Sequence, residues 1–173
     1  MPVKNSITHG SKQRPDPEKS LVGFCVGAVH YAVPIGSVRE IVNPADVTRL
    51  PHAPSVVVGV ADHRGEVVPI IDLRVRFGVP SAVEARRTKW ILVDVDGMTI
   101  GLVVDRVTEV FGTGGIGLRP APSLGGGEDE RGIVGVTTHE NVMVFVLDLT
   151  CFEAIAAGLG PINEHTPAPA LMR

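Results

Sequence analysis

The sequence predicts an all-β protein, a barrel or sandwich built from many short strands. Three observations support this fold class. Runs of β-branched and other apolar residues recur at short spacing, and Gly, Pro, Asp or Asn residues separate them. Helical periodicity is weak except near the C-terminus. The two halves of the chain also share a pattern of residues, which is typical of an internal repeat.

Both ends of the 173-residue chain differ in composition from its middle. Residues 1–20 are polar, contain Pro15 and Pro17 close together and show no periodicity, so we predict a disordered N-terminal lead. Residues 161–173 are also rich in proline and predict a disordered tail. The folded region is therefore expected over residues 21–160, which is long enough for one domain or two small subdomains.

Ten short apolar runs within this region are predicted to form strands. In chain order they are Val22–Val26, Tyr31–Ile35, Arg39–Val42, Val56–Ala61, Val67–Leu73, Trp90–Val95, Met98–Val104, Glu109–Phe111, Ile133–Thr137 and Val142–Leu149. Each run is bounded by turn-forming residues, so short connections are expected between most of them.

One of these connections carries the clearest functional signal. The charged turn Asp62–Glu66 joins two β-rich runs and contains Gly65, a pattern that predicts a β-hairpin. The hairpin would hold Arg64 at a fixed position on the surface. A planar fork of N–H donors suits recognition of another molecule better than it suits packing.

One short helix is predicted at the C-terminal end of the folded region, over Thr150–Leu159. Thr150 is a residue type that caps helices, and Phe152, Ile155 and Leu159 fall on one face. Two aspartates, Asp72 and Asp148, end strands just before a possible helical turn, so they are expected to cap helices rather than to do acid–base chemistry.

The internal repeat is visible in two alignments of the chain with itself. A shift of 69 residues, from 38 to 107, places Val38–Ile41 on Val107–Val110 and matches their glutamates. A shift of 76 residues, from 63 to 139, places His63 on His139 and also matches glycines and aspartates. Matched polar and glycine positions are stronger evidence for a repeat than matched apolar positions, which any two β-rich segments share.

The repeat predicts two similar units, with approximate halves 21–80 and 88–150. Each half is too small to form a secure core alone, so a shared apolar seam should join the two units. Trp90 opens the second half and is a candidate for this seam.

Composition excludes several classes of partner. The net charge of −3 and the isoelectric point near 6.0 argue against a nucleic-acid binder or a protein of anionic membrane surfaces. Aromatic residues make up 4% of the chain, too few for a base-stacking surface. The N-terminus lacks the apolar core of a signal peptide, and no apolar run reaches the ~18 residues of a membrane helix. A cytoplasmic location is therefore predicted.

No motif of a catalytic or cofactor site is present, so we predict a non-enzymatic protein without a cofactor. Cys25 and Cys151 lie in apolar settings without a neighbouring histidine, so both are expected to be buried free thiols. The glycine-rich segments lack the Lys-Ser/Thr of a phosphate-binding loop. The six histidines show no HxxxH or CxxC-type spacing, so no metal site is predicted.

Two groups of apolar positions allow two interpretations. Ile35, Val38 and Ile41 surround a bend that begins at Pro34, and they either fill a barrel or line a groove for a partner's helix. The loop from Arg119 to Leu124 is either inert or an interface anchor, since arginine and apolar tips are common in interfaces.

Five segments of the chain carry recognisable motifs in a fixed order: FCVGAVHYAVPIGSVREI, LPHAPSVVVGVADHRGEVVPIIDLRVRFG, ILVDVDGMTIGLVVDRVTEV, IGLRPAPSL and IVGVTTHENVMVFVLDL. In order and spacing they resemble the CheW family of bacterial chemotaxis coupling proteins. The resemblance covers nearly all of residues 21–160. It implies two SH3-like five-stranded β-barrel subdomains packed on a shared apolar seam, followed by the short C-terminal helix.

The resemblance also implies a function. The protein would be an adaptor that joins the cytoplasmic tip of methyl-accepting chemoreceptors to the regulatory domain of a CheA-type histidine kinase. It would meet the membrane only indirectly, through the receptors. An alternative is the same scaffold in a chemosensory pathway that controls surface motility or gene expression instead of swimming.

Site residues follow from the family's motifs, position by position. The receptor-binding positions would be Val38, Glu40, Ile41, Gly59 and Arg64. The kinase-binding positions would be Arg119 and Leu124. The chain departs from the family pattern at Asp62 and His63, where Asn and Leu are usual, and this pair places a carboxylate and a titratable ring beside Arg64.

Overall fold

In a computed structural model of the chain, residues 19–80, 86–114, 117–121 and 132–159 are described. These residues form ten strands, two short helices and a 3-10 turn. The all-β prediction with a C-terminal helix is confirmed. The predicted N-terminal lead up to residue 18, the tail at 161–173, and Leu124 lie outside the described residues.

Each half of the chain supplies five strands and ends in a helix. The first half contains β1 (Ser20–Val26), β2 (Val29–Pro34), β3 (Val38–Val42), β4 (Val57–His63), β5 (Glu66–Asp72) and α1 (Leu73–Phe77). The second half contains β6 (Lys89–Val95), β7 (Met98–Val104), β8 (Arg106–Gly112), β9 (Ile133–His139), β10 (Val142–Leu147) and α2 (Thr150–Ala157). The predicted runs match these strands, although β8 is longer than its apolar run indicated.

The ten strands form two five-stranded sheets. Sheet A has the order β8-β1-β2-β10-β9, and sheet B has the order β3-β6-β7-β5-β4. If each strand is replaced by its repeat partner, β1 by β6 and so on to β5 by β10, sheet A becomes sheet B. Each sheet also contains one parallel pair at the same place, β2 with β10 and β5 with β7. The two sheets therefore have the strand-by-strand correspondence that an internal repeat predicts.

The two sheets do not coincide with the halves 21–80 and 88–150, because the repeats exchange strands. Strands β1 and β2 join sheet A, whereas β3, β4 and β5 join sheet B. The crossing follows β2, which ends at Pro34, a residue without the N–H that a ladder needs. The 3-10 turn at Ile35–Ser37 then leads the chain into β3 in the other sheet.

The largest core cluster lies between the two sheets and is the predicted apolar seam. Alternate residues of β1, β2, β6 and β7 supply much of this cluster, because successive side chains along a strand point to opposite faces. Its members include Val22, Phe24, Tyr31 and Val33 of sheet A, Ile91, Val93, Ile100 and Leu102 of sheet B, and Phe152 of α2.

Each sheet also has a smaller core of its own. Leu21, Ala32, Phe111, Val144 and Val146 form the core of sheet A. Ala61, Val68, Ile70, Trp90, Leu92 and Val103 form the core of sheet B. Trp90 therefore does not lie in the seam as predicted. It lies next to seam residue Ile91 on β6, and neighbouring residues of a strand face opposite sides.

An aspartate, Asp72, caps α1 as predicted, whereas Asp148 lies one residue before the N-cap of α2, which is Leu149 and makes no side-chain cap hydrogen bond. The Arg74 N–H donates to Asp72 Oδ1 at 2.8 Å, and the Thr150 N–H donates to Asp148 Oδ1 at 2.9 Å. Thr150 is thus not the cap of α2 that the sequence indicated. It is the first helical residue, and its hydroxyl also donates to Asp148 Oδ1, at 2.7 Å.

Both cysteines are free thiols. Cys25 is buried in β1, whereas Cys151 in α2 is only partly buried. Desolvation by the surrounding side chains raises the pKa of both thiols above the ordinary value, which disfavours the thiolate. The expectation that no histidine neighbours the cysteines is wrong for Cys25, because His30 Nδ1 lies 3.6 Å from its Sγ.

Glycine at position 59 is required by a close approach of two backbone segments. Thr48 and Val60 exchange backbone hydrogen bonds at 2.8 and 2.9 Å, which brings the preceding loop against β4. A Cβ on Gly59 would collide with the Thr48 carbonyl oxygen, and φ at Gly59 is 151°. The repeat partner Gly135 is similarly close to the carbonyl of Arg119.

We expect Gly59→Ala to lower the free energy of unfolding by at least about 2 kcal/mol, through collision with backbone and through strain. Urea denaturation followed by circular dichroism measures the change. Gly36→Ala is the matched control, because a Cβ there meets no atom within 4 Å. Equal stability of the two variants would contradict this account of Gly59.

Candidate functional site

The hairpin turn between β4 and β5 presents Arg64 to solvent. Arg64 and Gly65 have φ angles of 54° and 83°, the pattern of a type I′ turn, which matches the twist of paired strands. The Gly65 N–H donates to Asp62 Oδ1 at 3.0 Å and fixes the turn. Asn is favoured over arginine at a positive φ, so Arg64 sits here at a cost of order 1 kcal/mol.

Glu40 on β3 binds two side chains from the end of this hairpin. Arg64 Nη2 donates to Glu40 Oε1 at 3.0 Å, and His63 Nε2 lies 3.1 Å from Glu40 Oε2. Strands β3 and β4 are the two edges of sheet B, and no ladder joins them. We name Glu40, His63 and Arg64 clasp B, because they connect the two edges of this sheet.

Clasp B contributes little to stability. The side chain of Arg64 is 76% exposed and that of Glu40 is 35% exposed, so water screens their attraction. Exposed ion pairs of this kind contribute roughly 0–1 kcal/mol. Most of the guanidinium remains open to solvent and can donate hydrogen bonds to another molecule.

An apolar pocket opens beside the clasp, between β3 and β4. It has a volume of about 120 Å³, and its apolar lining is Val42, Ala45, Ala61, Val68, Ile70, Trp90 and Leu92. A shallower, charged pocket of about 250 Å³ adjoins it around Arg64, and His63 and Leu92 line both. The edge of sheet B can therefore accept an apolar side chain next to a polar or acidic group.

The predicted receptor-binding residues lie in different environments. Glu40 and Arg64 are brought together, and Ile41 exposes 40% of its surface on the same strand. Val38 is half-buried and packs against the seam, while Gly59 is buried beneath the Thr48 loop. Within the chain, the last two residues therefore pack against other segments.

Two parts of this site were not predicted from the sequence. His63 was assigned to a turn position and not to Glu40. The matching of Glu40 with Glu109, and of His63 with His139, was the available signal for this pair. The contribution of Trp90 and Leu92 to the pocket had no signal, since it depends on the strand exchange.

Arg39 is engaged within sheet B. Its Nε donates to Asp94 Oδ2 on β6 at 3.0 Å, and its Nη1 lies 3.7 Å from Glu66 Oε2. The Arg39 hydrogen bond, together with the Gly97 N–H, holds the pKa of the Asp94 carboxyl below its usual range. Arg39 is therefore a cross-strand residue, with less freedom than Arg64 to meet a partner.

We expect Arg39→Ala to raise the pKa of Asp94 toward its ordinary value of about 3.9. Since the folded-state pKa is lowered, the stabilisation is present above that ordinary value and is lost as the pH falls through the lowered one. A 13C NMR titration of the Asp94 carboxyl measures the change. Arg49→Ala serves as control, and an unchanged pKa in Arg39→Ala would contradict the assignment.

Arg119 lies on the other sheet, away from clasp B in the topology. Its backbone exchanges hydrogen bonds with Val136 of β9 at 2.9 and 2.8 Å, and its Nη2 donates to Thr138 Oγ1 at 2.9 Å. Arg119 is exposed and held by these contacts.

Within the described ranges, no helix is long and apolar enough to cross a membrane.

The fold is a pair of SH3-like barrels on one shared core. A family model described as "CheW-like domain" matches residues 20–152. The chain belongs to the CheW-like family, as the sequence motifs indicated, and is a chemotaxis-type adaptor.

Relatives and a solved structure agree with this membership. The chain is 31% identical to "Chemotaxis protein CheW" of Rhizobium meliloti (strain 1021), over 83% of this chain and 92% of that protein. It is 37% identical to "Protein FrzA" of Myxococcus xanthus, over 69% of this chain and 74% of that protein. The crystal structure of scaffolding protein TtCheW from Thermoanaerobacter tengcongensis matches with a TM-score of 0.71 and 28% identity, over 82% and 90% of the two chains.

Proposed function

We propose that this protein is a non-enzymatic cytoplasmic adaptor that couples the tips of chemoreceptors to the regulatory domain of a CheA-type histidine kinase. Clasp B and its apolar pocket would receive the receptor, and the region of Arg119 would receive the kinase. Membership of the CheW-like family supports the role, and the geometry of the two sheets supports the division of labour.

The single observation that carries the receptor proposal is the pocket between the edges of sheet B. Its lining includes Trp90 and Leu92, and the charged pocket that adjoins it is lined by Arg64 and Glu40. A receptor tip is helical in this family, and an amphipathic helix can insert an apolar residue while its carboxylates meet the guanidinium. The exposed Ile41 extends the apolar surface along β3.

The kinase proposal uses a different barrel. Arg119 is anchored to β9, an edge of sheet A, whereas clasp B joins the edges of sheet B. Two partners on two barrels can bind at the same time, and each contact can be weak because an array of many copies multiplies the valency.

We expect Arg64→Asn to weaken binding of a receptor-tip peptide at least tenfold, about 1.4 kcal/mol. Asparagine fits the positive φ of this turn, so the free energy of unfolding should be unchanged or higher. Fluorescence anisotropy with labelled peptide measures binding, and a thermal melt measures stability. Arg106→Asn removes the same charge from sheet A and should bind normally. Unchanged binding by Arg64→Asn would reject clasp B as the receptor site.

We expect Arg119→Glu to reduce capture of the purified kinase regulatory domain at least tenfold, about 1.4 kcal/mol, because the charge of an anchored, exposed cation is reversed. Binding of the receptor-tip peptide should persist. Two separate pull-downs, one with each partner, make the comparison. Equal loss of both interactions would argue against separate faces.

The second candidate function is the same adaptor in a pathway with an output other than swimming, such as surface motility or gene regulation. The similarity to FrzA supports this second function, because the name of that relative does not refer to chemotaxis. Deletion of the gene, followed by parallel swimming and surface-motility assays, separates the two outputs.

A further inference from the structure

Sheet A repeats clasp B with one reversed charge. Glu109 on β8 is the repeat partner of Glu40, and His139 at the end of β9 is the partner of His63. His139 Nε2 lies 3.1 Å from Glu109 Oε1, the same separation as in clasp B. The third position differs, because Glu140 stands where sheet B has Arg64. We name Glu109, His139 and Glu140 clasp A.

Clasp A gathers three metal-ligand side chains. One nitrogen of His139 and one carboxylate oxygen from each glutamate all lie within 4.8 Å of one another. Three ligands at ~2.0–2.2 Å from a Zn²⁺ ion require them to be a little closer still. Glu109 and Glu140 are exposed, and Glu140 sits in a turn at φ 47°.

The histidine is held for such a role. Its ring stacks on Phe111 with centroids 4.1 Å apart and planes inclined by 16°. Its Nε2 is buried and has no aligned hydrogen bond, although Glu109 Oε1 is near. A buried ring nitrogen without a hydrogen bond costs free energy, and a coordinated cation removes that cost.

The two negative carboxylates of clasp A would also be stabilised by a bound cation. Two carboxylates this close repel each other, and in sheet B the corresponding glutamate is neutralised by the guanidinium of Arg64. Arg106 lines the same pocket as clasp A, and it also interacts with the Cys25 thiol. Glu140 thus occupies the position at which sheet B has Arg64, the cationic side chain that pairs with the glutamate of β3.

We propose that clasp A is a binding site for a divalent transition-metal ion of the zinc class, with His139 Nε2 and carboxylate oxygens of Glu109 and Glu140 as ligands. One imidazole nitrogen and two carboxylate oxygens suit borderline ions, and Zn²⁺ sites with three protein ligands keep a position for water or a further group. The ion would join β8 to β9, the two edges of sheet A, as Arg64 helps to join the edges of sheet B.

The test is isothermal titration of the full chain, freed of metal with a chelator, with ZnCl₂. We expect one equivalent of zinc to bind at clasp A. His139→Gln and Glu140→Arg should each weaken this binding at least tenfold, and Glu140→Arg keeps the fold because it imports the arrangement of clasp B. His52→Gln, which removes an exposed histidine elsewhere, should leave the affinity unchanged.

X-ray absorption of the zinc complex supplies a second readout, with one imidazole and otherwise oxygen ligands expected in the first coordination shell. Zinc should also raise the thermal midpoint of the wild type and not that of Glu140→Arg, because the ion binds only the folded edge. Absence of zinc binding would overturn the proposal. So would full affinity in His139→Gln, which would assign the ion to other histidines of the chain.

Discussion

The seam between the two sheets is the interaction on which the rest of the molecule depends. Its residues come from strands that the repeats exchange, so neither barrel can form its larger core without the other half of the chain. Removal of a fully buried phenylalanine such as Phe24 or Phe152 costs roughly 3–5 kcal/mol. A surface ion pair contributes roughly 0–1 kcal/mol, so the seam and not the clasps sets the stability of the fold.

This difference in energy explains why the two hairpin turns can diverge. Strands β4 and β9 keep the same glycine and the same valine, because a neighbouring backbone segment packs against each. The turn that follows each strand, at Arg64 and at Glu140, lies in solvent and adopts the same positive φ with a cation or an anion. Function can therefore be changed at the turns without disturbing the strands that hold them.

The sequence predicted the strands, the repeat and the pairing of motifs, because apolar alternation and turn residues act over a few neighbouring positions. The sequence did not predict the strand exchange. An alignment of the chain with itself does not show whether β3 pairs with a strand of its own half or with a strand of the other half. The error over Trp90 follows from this, because the face of β6 that meets the seam depends on the partner strand. For the same reason the spacing of histidines was uninformative about clasp A, whose ligands come from β8 and from the β9–β10 turn.

The two clasps give one chain two chemically different edges on equivalent scaffolds. A cation at Arg64 favours acidic or carbonyl-rich surfaces, whereas two carboxylates at Glu109 and Glu140 disfavour the same surfaces unless a metal ion neutralises them. An acidic segment that met Arg64 favourably on sheet B would therefore be disfavoured by charge on sheet A, even though both barrels present similar strands. On equivalent scaffolds, the reversal of a single charge is enough to make the two edges differ in the surfaces they favour.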